Sequence, residues 1–133
     1  MNECLFCNII AGKIPSQKIW EDAEHVALLD IFPIVPGQVL VIPKKHFNSY
    51  IFDMPEEDFK KLMLAAKKVG KMLDKSLNVE RTLMVLEGFG VNHAHAKLYP
   101  NPRNATEGYL VPVGKRLADE SLKQLADLIK SRQ

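Results

Sequence analysis

Along residues 55–77, apolar side chains recur at three- and four-residue intervals: Phe59, Leu62, Met63, Ala66, Val69, Met72, Leu73 and Leu77. That period belongs to a helix with one buried stripe, so the spacing predicts a helix over 55–77. Pro55 suits its first turn, and Glu56, Glu57 and Asp58 suit the positive end of the helix dipole. Lys60, Lys61, Lys67, Lys68 and Lys71 fall opposite the apolar stripe and read as a solvated face.

Elsewhere the pattern changes. Residues 5–11, LFCNIIA, form a short apolar run closed by Gly12 and then Pro15, which predicts a short helix. A strand at about 18–20, a turn at 21–24, a strand over 25–30, a turn at Pro36-Gly37 and a β-branched strand over 38–42 follow. These runs lie too close together for helical crossovers, which argues for an antiparallel meander. RTLMVLEG (81–88) and residues 93–99 read as two further strands joined by GFGVN, and NPRNATEGY (101–109) as a loop of turn formers. Residues 117–132 close the chain as an amphipathic helix, with Asp119 or Ser121 as candidate caps. The sum is an α+β fold. It has an antiparallel sheet of about five strands, one long helix, a short N-terminal helix and a C-terminal helix, with the helices on one side of the sheet.

A length of 133 residues suits one domain spanning 1–133. The net charge of +2 is too small to argue for nucleic acid or an acidic membrane as partner. No apolar run approaches a membrane span, and the first residues lack the basic stretch and cleavage site of a secretory signal, so the expected compartment is the cytoplasm. In a reducing compartment the two cysteines, Cys4 and Cys7 in one C-x-x-C, point to a metal or redox site before a structural disulfide. A metal needs two more ligands, which His46 and one histidine of the 93–95 pair could supply. His25 has no evident partner and reads as a surface residue.

The segment VNHAHAKLYP (91–100) holds the other candidate chemistry. Residues two apart on a strand share a face, so His93, His95 and Lys97 project together while Ala94, Ala96 and Leu98 face the other way. An imidazole with a pKa of about 6.5 is largely neutral at pH 7 and can attack phosphorus or bind a metal. A lysine two residues on can be a fixed positive charge beside a phosphate. Two histidines on one strand are equally compatible with a structural pair.

Taken together, CLFCNIIAGKIPSQKIWEDAEHVALLDIFPIVPGQVLVIPKKH and NHAHAKLYP resemble the histidine triad family of nucleotide-binding proteins, over about residues 4–100. The matched features are C-x-F-C, I-x-x-G-x-I-P-S, the E-D turn, L-x-D-I-x-P, P-G-x-x-L-V-I-P-K-x-H and the histidine row followed by proline. The resemblance implies a homodimer that binds a purine nucleotide such as AMP or GMP in a cleft beside the row. It implies His95 as the nucleophile at the α-phosphorus, with a nucleotidyl-histidine intermediate and release to water or another acceptor. Candidate substrates are dinucleoside polyphosphates and nucleoside phosphoramidates. The nucleoside pocket maps onto Leu5, Phe6, Ile9, Leu28, Asp30 and Ile31, where plain core is the alternative reading of the apolar members. Asp30 would accept from the ribose hydroxyls. Many bacterial members bind zinc through positions that correspond to Cys4, Cys7, His46 and His93, a structural set of two thiolates and two imidazoles.

The chain departs from the family in its phosphate half. Lys97 stands for the third histidine, Gln38 for the histidine usual after P-G, and Leu86 for a common asparagine. The loop EGFGVN is short and lacks the usual Gln and Ser. Lys97 is expected to stabilise charge on phosphorus rather than donate a proton. Backbone amides of residues 88–92, Gly90 and Asn92 among them, are expected to take over phosphate contacts. Two alternatives to hydrolysis follow from the departures: nucleotidyl transfer, since a transferase branch carries glutamine at the third position, and a non-catalytic nucleotide sensor.

Overall fold

A computed structural model describes residues 3–102 and 114–133. The elements are α1 (Leu5–Ile10), β1 (Lys18–Glu21), β2 (His25–Leu29), β3 (Val39–Pro43), a 3-10 turn (Ile51–Asp53), α2 (Glu56–Leu77), β4 (Val79–Val85), β5 (Ala96–Pro102) and α3 (Asp119–Ser131). The turn-rich loop expected over 101–109 lies outside the described residues from position 103 on.

All strand pairs are antiparallel, in the order β1-β2-β3-β5-β4. The chain leaves β3, crosses the sheet as α2 and returns as β4 at the edge, and β5 then fills the gap between β3 and β4. The turn into β3 is set by Pro36-Gly37. Gly37 has φ +81°, and the Gln38 N–H donates to the Val35 carbonyl at 3.2 Å, the signature of a type II turn. Asn78, at φ 50°, ends α2 in the left-handed region.

The helices do not share one side of the sheet as the sequence suggests. On one face Ala27, Val39, Val41, Ala94, Ala96 and Leu98 pack with Leu62, Ala65, Ala66, Val69 and Leu73 of α2. On the other, Val26, Leu28, Leu40 and Ile42 pack with Phe6 of α1. The continuous apolar run of β3 explains this, because a strand apolar on both faces needs cover on both. Lys60, Lys61, Lys67, Lys68 and Lys71 of α2 are exposed, as its period predicts.

His25 corrects another expectation. It is only 4% exposed, and its Nδ1 lies 3.3 Å from Asp22 Oδ1. The same carboxylate oxygen accepts the backbone N–H groups of Glu24 and His25 at 2.8 and 2.6 Å. The partner therefore sits three residues upstream, in the β1–β2 turn, where strand periodicity does not point. At α3 neither candidate cap operates: Ala118 is the N-cap, and the Asp119 carboxylate pairs with Arg116 at 2.7 Å. The apolar residues of α3, Leu122, Leu125, Leu128 and Ile129, are exposed. Among the described residues no helix is long and apolar enough to cross a membrane.

Candidate active site and metal cluster

The regular ladder of β5 begins at Ala96, so His93 and His95 precede it rather than lie within it. The alternation of faces nevertheless continues through them. Ala94 and Ala96 join the core beneath α2, while His93 and His95 turn toward α1 and meet the edge of Phe6, at ring separations of 5.9 and 5.0 Å. The Ala94 N–H donates to the Phe47 carbonyl at 2.9 Å and fixes this stretch without a strand partner.

Beside the row, α1, the β2–β3 turn and β5 enclose a cleft of about 360 Å³. It is lined by Leu5, Phe6, Ile9, Leu28, Asp30, Ile31, Gly90, His95 and Lys97, all expected from the sequence. Ile14, Phe32, Ile34 and Tyr99 line it as well and were not expected there, and Gln38 and Val91, both assigned to the phosphate half, join them. Asn92 is not among the lining residues. Its Oδ1 accepts the Ser49 N–H at 3.0 Å, and Ser49 Oγ donates to the Gly88 carbonyl at 2.6 Å. The short loop before the row is thus latched to residue 49. Gly88 has φ +70°, and a Cβ there would collide with the Ser49 carbonyl oxygen, so only glycine fits the latch.

His95 is 6% exposed, and its Nδ1 donates to the His93 carbonyl at 2.7 Å. That bond fixes the tautomer and leaves Nε2 with a lone pair and no hydrogen-bond partner among the described residues. Burial pushes the imidazole pKa down and so does Lys97; the bond to the His93 carbonyl, Glu87 and Asp30 oppose this without reversing it. The side chain is therefore a neutral imidazole at neutral pH, the form that can act as a nucleophile.

Lys97 donates to Glu87 Oε1 at 3.1 Å. Burial lowers its pKa, but the bond and charge of Glu87, with Tyr99 and Asp30, together outweigh burial and hold it above the usual lysine value. The ammonium keeps its proton and supplies charge. Opposite, Gln38 stands 3% exposed behind Asp30. Its Nε2 donates to Asp30 Oδ2 at 2.6 Å and its Oε1 accepts the Ile34 N–H at 2.8 Å, while Asp30 Oδ1 accepts the Phe32 N–H at 2.9 Å. The amide is pinned at both ends and sets the carboxylate. Each carboxylate oxygen retains a lone pair for a further donor.

Cys4, Cys7, His46 and His93 converge at the other end of the row. Cys4 caps α1, its Sγ accepting the Cys7 N–H at 3.4 Å, so both thiols lie on one turn. The four ligand atoms lie within 4.8 Å of one another. His46 Nδ1 is 3.2 Å from His93 Nδ1, and three sulfur–nitrogen separations run from 3.4 to 3.5 Å. A tetrahedral ion with bonds of about 2.3 Å to sulfur and about 2.0 Å to nitrogen places its donors at about these separations. His93 Nε2 donates to the Pro43 carbonyl at 2.8 Å, which turns the lone pair of Nδ1 toward the cluster. The residues fit a divalent metal of zinc type.

A family model described as HIT domain matches residues 11–104. An uncharacterized HIT-like protein of Methanocaldococcus jannaschii is 33% identical over 92% of this chain and 98% of its own length. An adenosine 5′-monophosphoramidase of Schizosaccharomyces pombe is 32% identical over 97% of each chain. A solved structure described as a zinc-bound histidine triad family protein, from Mycobacterium smegmatis, superposes with a TM-score of 0.74 at 25% identity, covering 98% of each chain. The chain belongs to the HIT domain family.

Proposed function

We propose that the protein binds a purine nucleotide in this cleft and cleaves a phosphoanhydride or phosphoramidate at the α-phosphorus through His95. The single observation that carries this reading is the buried, tautomerically fixed imidazole with its free Nε2 beside an apolar cleft. The base would lie among Leu5, Phe6, Ile9, Leu28 and Ile31, and the ribose hydroxyls would donate to Asp30. The Nε2 lone pair would form a bond to phosphorus while the bond to the leaving group breaks, and a leaving amine takes a proton from water. Water then attacks phosphorus, the bond to Nε2 breaks, and the nucleoside monophosphate leaves. Lys97 would offset charge on the phosphoryl oxygens, and the Gly90 backbone, open to the cleft, would approach them closely. The name of the fission-yeast relative supports the phosphoramidate class.

Cys4, Cys7, His46 and His93 would hold zinc in a closed structural site, where the metal ties α1 to the row. The zinc-bound relative supports this choice of metal. The protein would act in the cytoplasm as a homodimer, for which β4 offers an outer edge that has no strand partner among the described residues.

The test is steady-state turnover of an adenosine phosphoramidate and a dinucleoside polyphosphate by wild type and His95→Ala. Loss of nearly all turnover in the variant is expected, and equal turnover refutes the mechanism. The substitution of Lys97 for a third histidine favours one second reading, a nucleotide sensor. It would show AMP binding with no turnover of either substrate.

A further inference from the structure

We propose that Glu87 selects the leaving group. By clamping Lys97 beside His95, it makes the cleft favour nucleoside phosphoramidates, whose leaving amine is uncharged, over dinucleoside polyphosphates, whose leaving group is an anion. The inference rests on the proposed reading of His95 as nucleophile.

Three observations carry it. Lys97 is the one lysine or arginine lining the cleft among the described residues. Its ammonium is held by Glu87 Oε1 at 3.1 Å, with the two side chains 24% and 45% exposed. Asp30, the other charged lining residue, is an acid. Among the described residues, the charges that act on His95 are one cation, Lys97, and two carboxylates, Glu87 and Asp30. Pockets built for polyphosphate surround it with a surplus of Arg and Lys donors.

The α-phosphate of either substrate brings one negative charge to Lys97. A polyphosphate leaving group adds further negative charge near a carboxylate that already occupies Lys97, the one lining cation among the described residues. Repulsion between two unit charges several ångströms apart, at a partly solvated site, is worth about tenfold in rate. Salt weakens it, since the pair is partly exposed. The sequence hides this role, because Glu87 lies ten residues from Lys97 and off the row.

The test compares kcat/KM for adenosine 5′-phosphoramidate and diadenosine tetraphosphate in wild type, Glu87→Gln and Glu87→Asp at low salt. Wild type is expected to prefer the phosphoramidate. Glu87→Gln should move the ratio toward the dinucleotide by about tenfold, Glu87→Asp should stay near wild type, and added salt should shrink the difference. An unchanged ratio, or equal loss on both substrates, overturns the inference and leaves Glu87 a structural group. Where wild type turns over neither substrate, the reading of His95 fails. The selection is then read from binding, where Glu87→Gln should tighten ATP relative to AMP by the same factor, and an unchanged ratio refutes it.

Discussion

Replacing Gln38 by leucine removes the amide that fixes Asp30 while nearly conserving volume. The amide is 3% exposed, so the substitution leaves little cavity and isolates the two hydrogen bonds at Asp30 Oδ2 and Ile34 N–H. A bond to a charged group contributes about 1.5–3 kcal/mol and a neutral one about 0.5–1.5 kcal/mol. Asp30 is half-buried and Ile34 is 71% exposed, so water replaces part of both. The expected cost is about 2 kcal/mol, read as a lower urea midpoint at unchanged slope. The function should respond selectively. With Asp30 free to rotate, AMP affinity is expected to fall about tenfold, the equivalent of one lost charged bond. Binding of 2′,3′-dideoxy-AMP, which lacks the hydroxyls that Asp30 would accept, should change little. A loss of stability below about 0.5 kcal/mol, or equal weakening of both ligands, would show that Gln38 does not position Asp30.

Other outcomes follow from the same geometry. Protein purified without chelator should carry about one zinc per chain by metal analysis, Cys7→Ser should lower that content, and metal-free wild type would contradict the cluster assignment. Leu62, 0% exposed at the centre of the α2 face, should cost about 2–5 kcal/mol as Leu62→Ala in urea unfolding. Burial raises the pKa of Asp22, but hydrogen bonds from the Glu24 and His25 N–H groups and the imidazole of His25 outweigh it, so the folded value is depressed. The stability it contributes is present above about pH 4, the unfolded value, and is lost as pH falls through the folded value. Wild type should therefore lose more stability on acidification than Asp22→Asn, and parallel pH–stability curves would contradict that assignment.

Much of this was legible in the chain. The period of 55–77 marks α2 because amphipathic helices leave a long signal, and the strand order of the first half follows from short links. The meeting of Cys4, Cys7, His46 and His93 in a cluster that could hold a metal, and most of the apolar cleft, came through resemblance, since long-range meetings leave no mark in local spacing. The misses have physical reasons. Placing both helices on one side neglected that VLVI of β3 is apolar on both faces. His25 looked unpartnered because a turn carboxylate, not a strand neighbour, holds it. Gln38 was visible only as a substitution, and its role depends on a turn that folds it back onto Asp30. Asn92, expected to offer its backbone amide to phosphate, also fastens the loop to Ser49 through its side chain, a contact that local spacing does not show.

The central claim is that His95 becomes covalently nucleotidylated. Its most direct test is the intact mass of the protein after mixing with an adenosine phosphoramidate and rapid quenching without acid, in wild type and His95→Ala. The account predicts a transient species heavier by one AMP in wild type and none in the variant. The same adduct on His95→Ala, or AMP release by that variant at the wild-type rate, would contradict it.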